Sequence, residues 1–397
     1  MKGSKIKKLR EFYHDRLVND CVPFWLRHSI DEKEGGYITY VDRKGELYST
    51  EKPVWFQGRG LWTYSKLIND GVKVQGLADA AKTGCEFLME HCYDSDGRMF
   101  FLVTREGKPL LKRRYFFSET FAAIGLSEYA KASGDTQARE KARQTYDLII
   151  DLYRDPTKLV PKYIPETLQM KGLAPPMIIL ATSQSMRGSD PERTALYDSV
   201  AEETMEELFR DFMKHDVHAM LENVDVSGKR MDSPRGRLVN PGHSIEASWF
   251  LMSEGMYRND RAVIDKALTI LDWSMELGWD KEYGGIMHFV DIEGKPTEQL
   301  EWDMKLWWPH TETLYALMLA YHLTGDKKYS KLFGIVHDYS FENFPDEEYG
   351  EWYGYLHRDG SVSKTFKGSV FKGPFHLPRA LHLMTGLLDT MTERQEL

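Results

Sequence analysis

Cysteine is scarce in this chain: Cys21, Cys85 and Cys92 are three in 397 residues, an odd number in no metal-ligand spacing. No Asn-x-Ser/Thr sequon occurs either, so a disulfide-stapled secreted scaffold is excluded and a reducing cytoplasm is the expected setting. Long apolar runs are also missing. Those near Met177 to Ala181 and Leu314 to Tyr321 fall far short of the roughly 20 residues that a bilayer span needs. The basic start, Met1 to Lys8, leads into Leu9, Phe12 and Tyr13 at helical spacing rather than into a signal-peptide core, and is expected to open a first helix. Positive charge is not in excess: 52 Lys and Arg against 61 Asp and Glu give a net charge of −9, scattered along the chain, which disfavours nucleic acid and anionic membranes as partners.

Several catalytic signatures are absent as well. There is no P-loop: Gly368 to Gly373 runs into Pro374 instead of Lys-Ser/Thr. There is no Gly-x-Ser-x-Gly elbow and no His-Glu-x-x-His, and Asp94-Ser95-Asp96-Gly97 meets Arg105 where a calcium loop would need its closing carboxylate. No metal is therefore expected.

What the chain does hold is apolar material, 42% of residues, with 19 Phe, 21 Tyr and 10 Trp, which supports a large core. Helical periodicity marks Trp62 to Asn69, Glu119 to Ala132, Ala138 to Tyr153, Leu196 to Phe212, Ser244 to Met256, Ala262 to Trp273 and Glu312 to Leu323. Between such stretches recur Gly-rich hairpin signatures: Gly35-Gly36-Tyr37, Asp96-Gly97-Arg98, Gly284-Gly285-Ile286 and Gly350-Glu351-Trp352, with weaker cousins at Leu159 to Tyr163 and His218 to Gly228. Anchors at positions 36, 97, 160, 221, 285 and 350 stand 61 to 65 residues apart. Six units, each of two helices and one hairpin, predict an all-α fold, a single (α/α)6 barrel over residues 1–397 with short β-hairpins at one mouth.

Four segments place polar groups among aromatics. In Trp55-Phe56-Gln57-Gly58-Arg59-Gly60, a guanidinium between two glycines is suited to a developing oxyanion. In Asn240-Pro241-Gly242-His243-Ser244-Ile245-Glu246, a turn starts a helix near His243, with Glu246 three residues on and on the same face. A helix N-terminus disfavours the imidazolium and leaves His243 available as a base. In Lys305 to Tyr315, Glu312 is placed to orient an imidazole and Trp308 to stack on a sugar face. His376 lies between Pro374 and Pro378 in Phe371 to Arg379. Taken singly, each has a structural reading: a snorkelling arginine, a capping histidine, a glutamate on a helix dipole, a packed core histidine. Together, two histidines and an arginine suit proton transfer at a carbon beside a carbonyl, where inversion needs acid and base on opposite faces.

In Phe56-Gln57-Gly58-Arg59, Arg113 to Glu119, Leu221-Glu222-Asn223-Val224, Asn240 to Ala247, Lys305 to His310 and Phe371 to Arg379, taken in order, the sequence resembles the N-acylglucosamine 2-epimerase family over nearly its whole length. The resemblance implies the same (α/α)6 barrel that the period predicts, and interconversion of N-acetylglucosamine and N-acetylmannosamine by C2 deprotonation and reprotonation. It implies that His243 and His376 are the acid/base pair, that Arg59 stabilises the enediolate, and that Glu246 and Glu312 orient or tune the histidines. Trp308, Phe371, Glu119 and Arg237 would line the sugar pocket. It further implies a homodimer, no cofactor in the chemistry and ATP as an activator, for which the Gly35 to Gly45 hairpin is the candidate site. Phe117-Ser118-Glu119, Lys305 to Trp308 and Pro175-Pro176-Met177 favour the N-acetyl sugar over the superfamily's cellobiose 2-epimerases and mannose isomerases. A two-carboxylate glycoside hydrolase and a non-catalytic sugar-binding protein are the rival readings.

Overall fold

A computed structural model describes residues 3–396; Met1, Lys2 and Leu397 lie outside the described residues. The chain forms α1 (Gly3–Asp15), a π turn (Arg16–Cys21), α2 (Val22–His28), α3 (Val54–Asn69), α4 (Leu77–His91), α5 (Phe117–Ser133), α6 (Thr136–Arg154) and α7 (Ala174–Ser189). It continues through α8 (Thr194–Glu207), α9 (Pro241–Arg258), α10 (Arg261–Gly278), α11 (Trp307–Thr324), α12 (Lys327–Asn343) and α13 (His376–Glu396).

The tight helix-to-helix turns follow from their residues. Helices α5, α9 and α11 end on Gly134, Asn259 and Gly325 in the left-handed conformation, which satisfies the last carbonyls. The next residue is Asp135, Asp260 or Asp326, whose carboxylate accepts main-chain N–H groups at the start of α6, α10 or α12. Each pair is thereby folded back as an antiparallel hairpin.

Helices α3, α5, α7, α9, α11 and α13 pack in sequence as an inner ring, and α13 meets α3 to close it. The partners α4, α6, α8, α10 and α12 pack outside, and the sixth hairpin joins the two ends of the chain, α1 against α13. Inner helices bury most of their circumference: α11 buries Trp307, Pro309, His310, Thr311, Glu312, Thr313 and Leu314 in succession. One apolar cluster runs around the whole ring, from Ile6 to Met391. The expected (α/α)6 barrel is the fold observed.

The hairpins gather where the inner helices begin. Lys52–Pro53, leading into α3, pairs antiparallel with Leu102–Val103, which pairs with Pro109–Leu111. Lys305–Leu306, leading into α11, repeats this with Tyr355–Leu356 and Val362–Lys364. Three ion triads centred on buried aspartates tie neighbouring segments together. Asp31 is held by Lys52 at 2.9 Å and Arg105 at 2.7 Å, and Asp280 by Lys305 at 2.8 Å and Arg358 at 2.9 Å. Asp346 is held by Lys367 at 3.0 Å and by Arg43 at 2.8 Å, so the third triad spans the ring closure.

Candidate active site

The first turns of α3, α9, α11 and α13 face one cavity of about 800 Å³ inside the ring, lined among others by Arg59, His243, Glu246, Trp308, His376 and Arg379. Asn240 caps α9: its side-chain oxygen accepts the His243 main-chain N–H at 3.1 Å, which fixes the imidazole's position on the first turn. His243 Nδ1 then meets both oxygens of Glu222, at 3.1 and 3.0 Å. Burial opposes the imidazolium, but the Glu222 carboxylate outweighs it, and the His243 pKa lies above the ordinary 6.5. The helix N-terminus therefore does not decide this histidine's charge. The expected partner, Glu246, is also not the group that orients it.

His376 opens α13, and its Nδ1 contacts Glu312 Oε1 at 2.8 Å, the orienting role expected for Glu312. Burial, followed by the nearby Arg59 and Arg379 charges, drives the His376 pKa well below 6.5. Arg379 Nη2 donates to Glu312 Oε1 at 2.7 Å and to Glu246 Oε1 at 2.5 Å. Glu246 thus compensates Arg379. Ligand atoms of Glu246, Glu312 and His376 lie within 4.8 Å of one another. A protein guanidinium already occupies the positive position among these carboxylates, so the cluster does not fit a resident metal. Trp249 Nε1 donates to Glu312 Oε2 at 2.9 Å, leaving this carboxylate little freedom to turn.

Trp308 lies against both histidines, with ring centroids 5.2 Å from His243 and 5.7 Å from His376. Arg59 makes no hydrogen bond or ion pair among the described residues, and its Nε is buried without an acceptor. Its guanidinium packs over Phe121 at 3.9 Å and Phe375 at 4.7 Å. Burial pulls its pKa down to about 9, which leaves it charged near neutrality with its donors uncommitted. Such a group is prepared for a substrate oxyanion.

Two of the expected pocket residues stand elsewhere. Glu119 is fully buried and accepts from Arg98 Nε at 2.6 Å and the Met99 N–H at 3.0 Å, anchoring the Asp96 hairpin instead of lining the cavity. Arg237 is held by Asp291 at 3.0 Å and is likewise not a lining residue. Phe371 does line the cavity, at its exposed rim beside Trp55. His310 takes the bland role: its Nε2 accepts the Ile286 N–H at 2.9 Å, and Nδ1 lies 2.6 Å from Leu306 O. The Gly35–Gly36 turn is packed, since a Cβ on Gly36 would lie 2.6 Å from Gln57 Oε1 and 2.7 Å from Phe87.

Sequence reasoning missed Glu222, Arg379 and His288 as site residues. Arg379 follows His376 by three residues on one helix face, a usable signal once the start of α13 is drawn. Glu222 is brought to His243 by tertiary structure alone.

An aromatic-lined cavity at one mouth of an (α/α)6 barrel, with two carboxylate-held histidines, places the chain with enzymes of the sugar epimerase and isomerase class. The sequence matches the family described as N-acylglucosamine 2-epimerase (GlcNAc 2-epimerase) over residues 36–376. The N-acylglucosamine 2-epimerase of Bos taurus is 36% identical over 388 residues, covering 96% of this chain and 91% of its own. A cellobiose 2-epimerase of Dictyoglomus turgidum is 23% identical, covering 94% and 96%. The structure of cellobiose 2-epimerase from Bacillus thermoamylovorans B4167 superposes with a TM-score of 0.84 at 19% identity, over 96% of this chain and 99% of that one. The chain belongs to the N-acylglucosamine 2-epimerase family.

Proposed function

We propose that this protein interconverts N-acetyl-D-glucosamine and N-acetyl-D-mannosamine by moving the C2 proton from one face of the open-chain sugar to the other. The observation that carries this is the pair of histidines, each held through Nδ1 by its own carboxylate and both set against Trp308 in one cavity. Holding Nδ1 leaves Nε2 of each ring to meet the substrate. His376, kept neutral, takes the C2 proton, and Arg59 receives the negative charge that spreads onto the carbonyl oxygen. His243, kept protonated by Glu222, delivers a proton to the opposite face. After one turnover their protonation states are exchanged, so the reverse reaction uses the same groups in opposite roles. The 36% identity to the bovine enzyme, against 23% to a cellobiose 2-epimerase, supports the N-acetyl sugar.

The proton transfers need no metal or redox group. A homodimer and activation by ATP belong to the same reading; sedimentation of the purified protein tests the first, and assay with and without ATP tests the second. No described helix is long and apolar enough to cross a membrane. The assignment as a whole is tested by incubating the protein with N-acetylglucosamine, mannose, glucose and cellobiose in turn and resolving the products by chromatography. N-acetylmannosamine from the first substrate, at a rate well above any product from the others, is the expected result. Hydrolysed cellobiose, or fructose from mannose, would replace it with a rival reading.

A further inference from the structure

A third imidazole lines the cavity, and the acid/base scheme does not use it. His288 follows the Gly284–Gly285 turn in the hairpin between α10 and α11, where its main-chain N–H donates to Trp302 O at 3.1 Å. Its ring packs 4.2 Å from Phe289 and stands edge-on to Trp308 at 6.3 Å. It therefore shares with His243 and His376 the tryptophan that marks the reacting region.

His288 Nδ1 is buried and has no hydrogen-bond partner that meets ordinary geometry, and no side-chain bond is made by Nε2 either. Burial, with His243 nearby, drives the ring's pKa down to about 3, and the Glu301 main chain is the only neighbour that favours its charged form. A neutral imidazole carries one proton, and with that proton on the buried Nδ1 the other nitrogen, Nε2, offers its lone pair to the cavity. Around the reacting region Arg59, Arg379 and the Glu222-held His243 supply donors, and the nearby Glu246 carboxylate is engaged by Arg379. A 2-acylamino sugar brings the complementary group, an amide N–H attached directly to the reacting carbon.

We propose that His288 Nε2 accepts the amide N–H of the substrate's C2 acylamino group, making His288 a specificity-determining binding residue. This rests on the N-acetyl sugar reading above. His243 and His376 each have a carboxylate to support the imidazolium that a proton transfer creates, and His288 has none among the described residues, so its part is to hold the substituent while the two other histidines move the proton.

The test combines two variants with one substrate analogue. For His288→Phe, which keeps the ring's bulk, KM for N-acetylglucosamine is expected to rise about tenfold, with kcat within about threefold and the pH profile in place. His288→Gln, whose amide oxygen can accept, is expected to restore most of that loss. The N-methylated analogue, 2-(N-methylacetamido)-2-deoxyglucose, lacks the N–H. It is expected to inhibit the wild type far more weakly than N-acetylglucosamine competes, and this difference should shrink about tenfold in His288→Phe. An unchanged KM in a folded His288→Phe would overturn the proposal, as would a fall in kcat with a displaced pH limb, which would make His288 an acid or base. Absence of any C2 chemistry by the wild type on N-acetyl sugars would instead overturn the reading beneath it, and the two failures are told apart in the same experiment.

Discussion

Glu222 grips His243 through Nδ1, both carboxylate oxygens lying 3.0 to 3.1 Å away, although 21 residues separate the two. The Glu222 carboxylate raises the His243 pKa above the ordinary 6.5. In Glu222→Gln the His243 pKa falls, and since His243 acts first as the acid, the alkaline limb of kcat/KM moves to lower pH. The acidic limb, set by His376, stays below the ordinary histidine value of 6.5. A pH-rate series on wild type and variant reads both limbs.

Removing either imidazole should stop inversion altogether. His243→Asn and His376→Asn are each expected to lose about 10³-fold or more in kcat while retaining the far-ultraviolet circular dichroism of the parent. A variant that turns over near the normal rate would remove its histidine from the mechanism.

Arg59 makes no direct ion pair among the described residues, and its guanidinium stacks on Phe121 and Phe375. In Arg59→Lys the planar fork is replaced by a compact ammonium. The expected loss is about 10²-fold in kcat with KM changed much less, because the charge it meets develops in the transition state. Steady-state kinetics separates the two.

Arg379 joins Glu246 to Glu312 and lies 3.4 Å from His376 Nδ1. In Arg379→Met two buried carboxylates lose their cation, and a stability loss of about 3 kcal/mol is expected by urea denaturation. The same change removes a positive charge that lowers the His376 pKa, so the acidic limb of the rate profile moves to higher pH.

The ion triads should matter for stability and not for chemistry. Asp280→Asn leaves Lys305 and Arg358 without their shared carboxylate, with Lys305 fully buried. A cost of about 3 kcal/mol in the unfolding free energy is expected, with kcat and KM close to those of the parent.

The sixfold period was legible because four of the six repeats carry a plain glycine turn between helical stretches, and the outer helices α6 and α10 show the expected stripe. Helices α4, α7, α12 and α13 were not drawn. Helix α4 contains Gly84, which reads as a helix breaker but is required there, because a Cβ would lie 1.9 Å from the Tyr37 hydroxyl. Helices α7 and α13 open with Ala-Pro-Pro and His-Leu-Pro, where proline fits the first turn but masks the period. His243, His376, Arg59 and Glu312 were found because each sits at an aromatic-to-helix junction. Glu119 and Arg237 do not line the cavity, because a charged side chain that anchors a hairpin and one that binds a sugar look alike until the topology is known.

The most direct test of the central claim is proton NMR of the purified protein with N-acetylglucosamine in D2O, following the C2 proton. The two-histidine account predicts that N-acetylmannosamine appears with deuterium at C2, and that neither His243→Asn nor His376→Asn forms it. Epimer formed with its original C2 proton retained, or formed by either variant at the parent rate, would contradict the account.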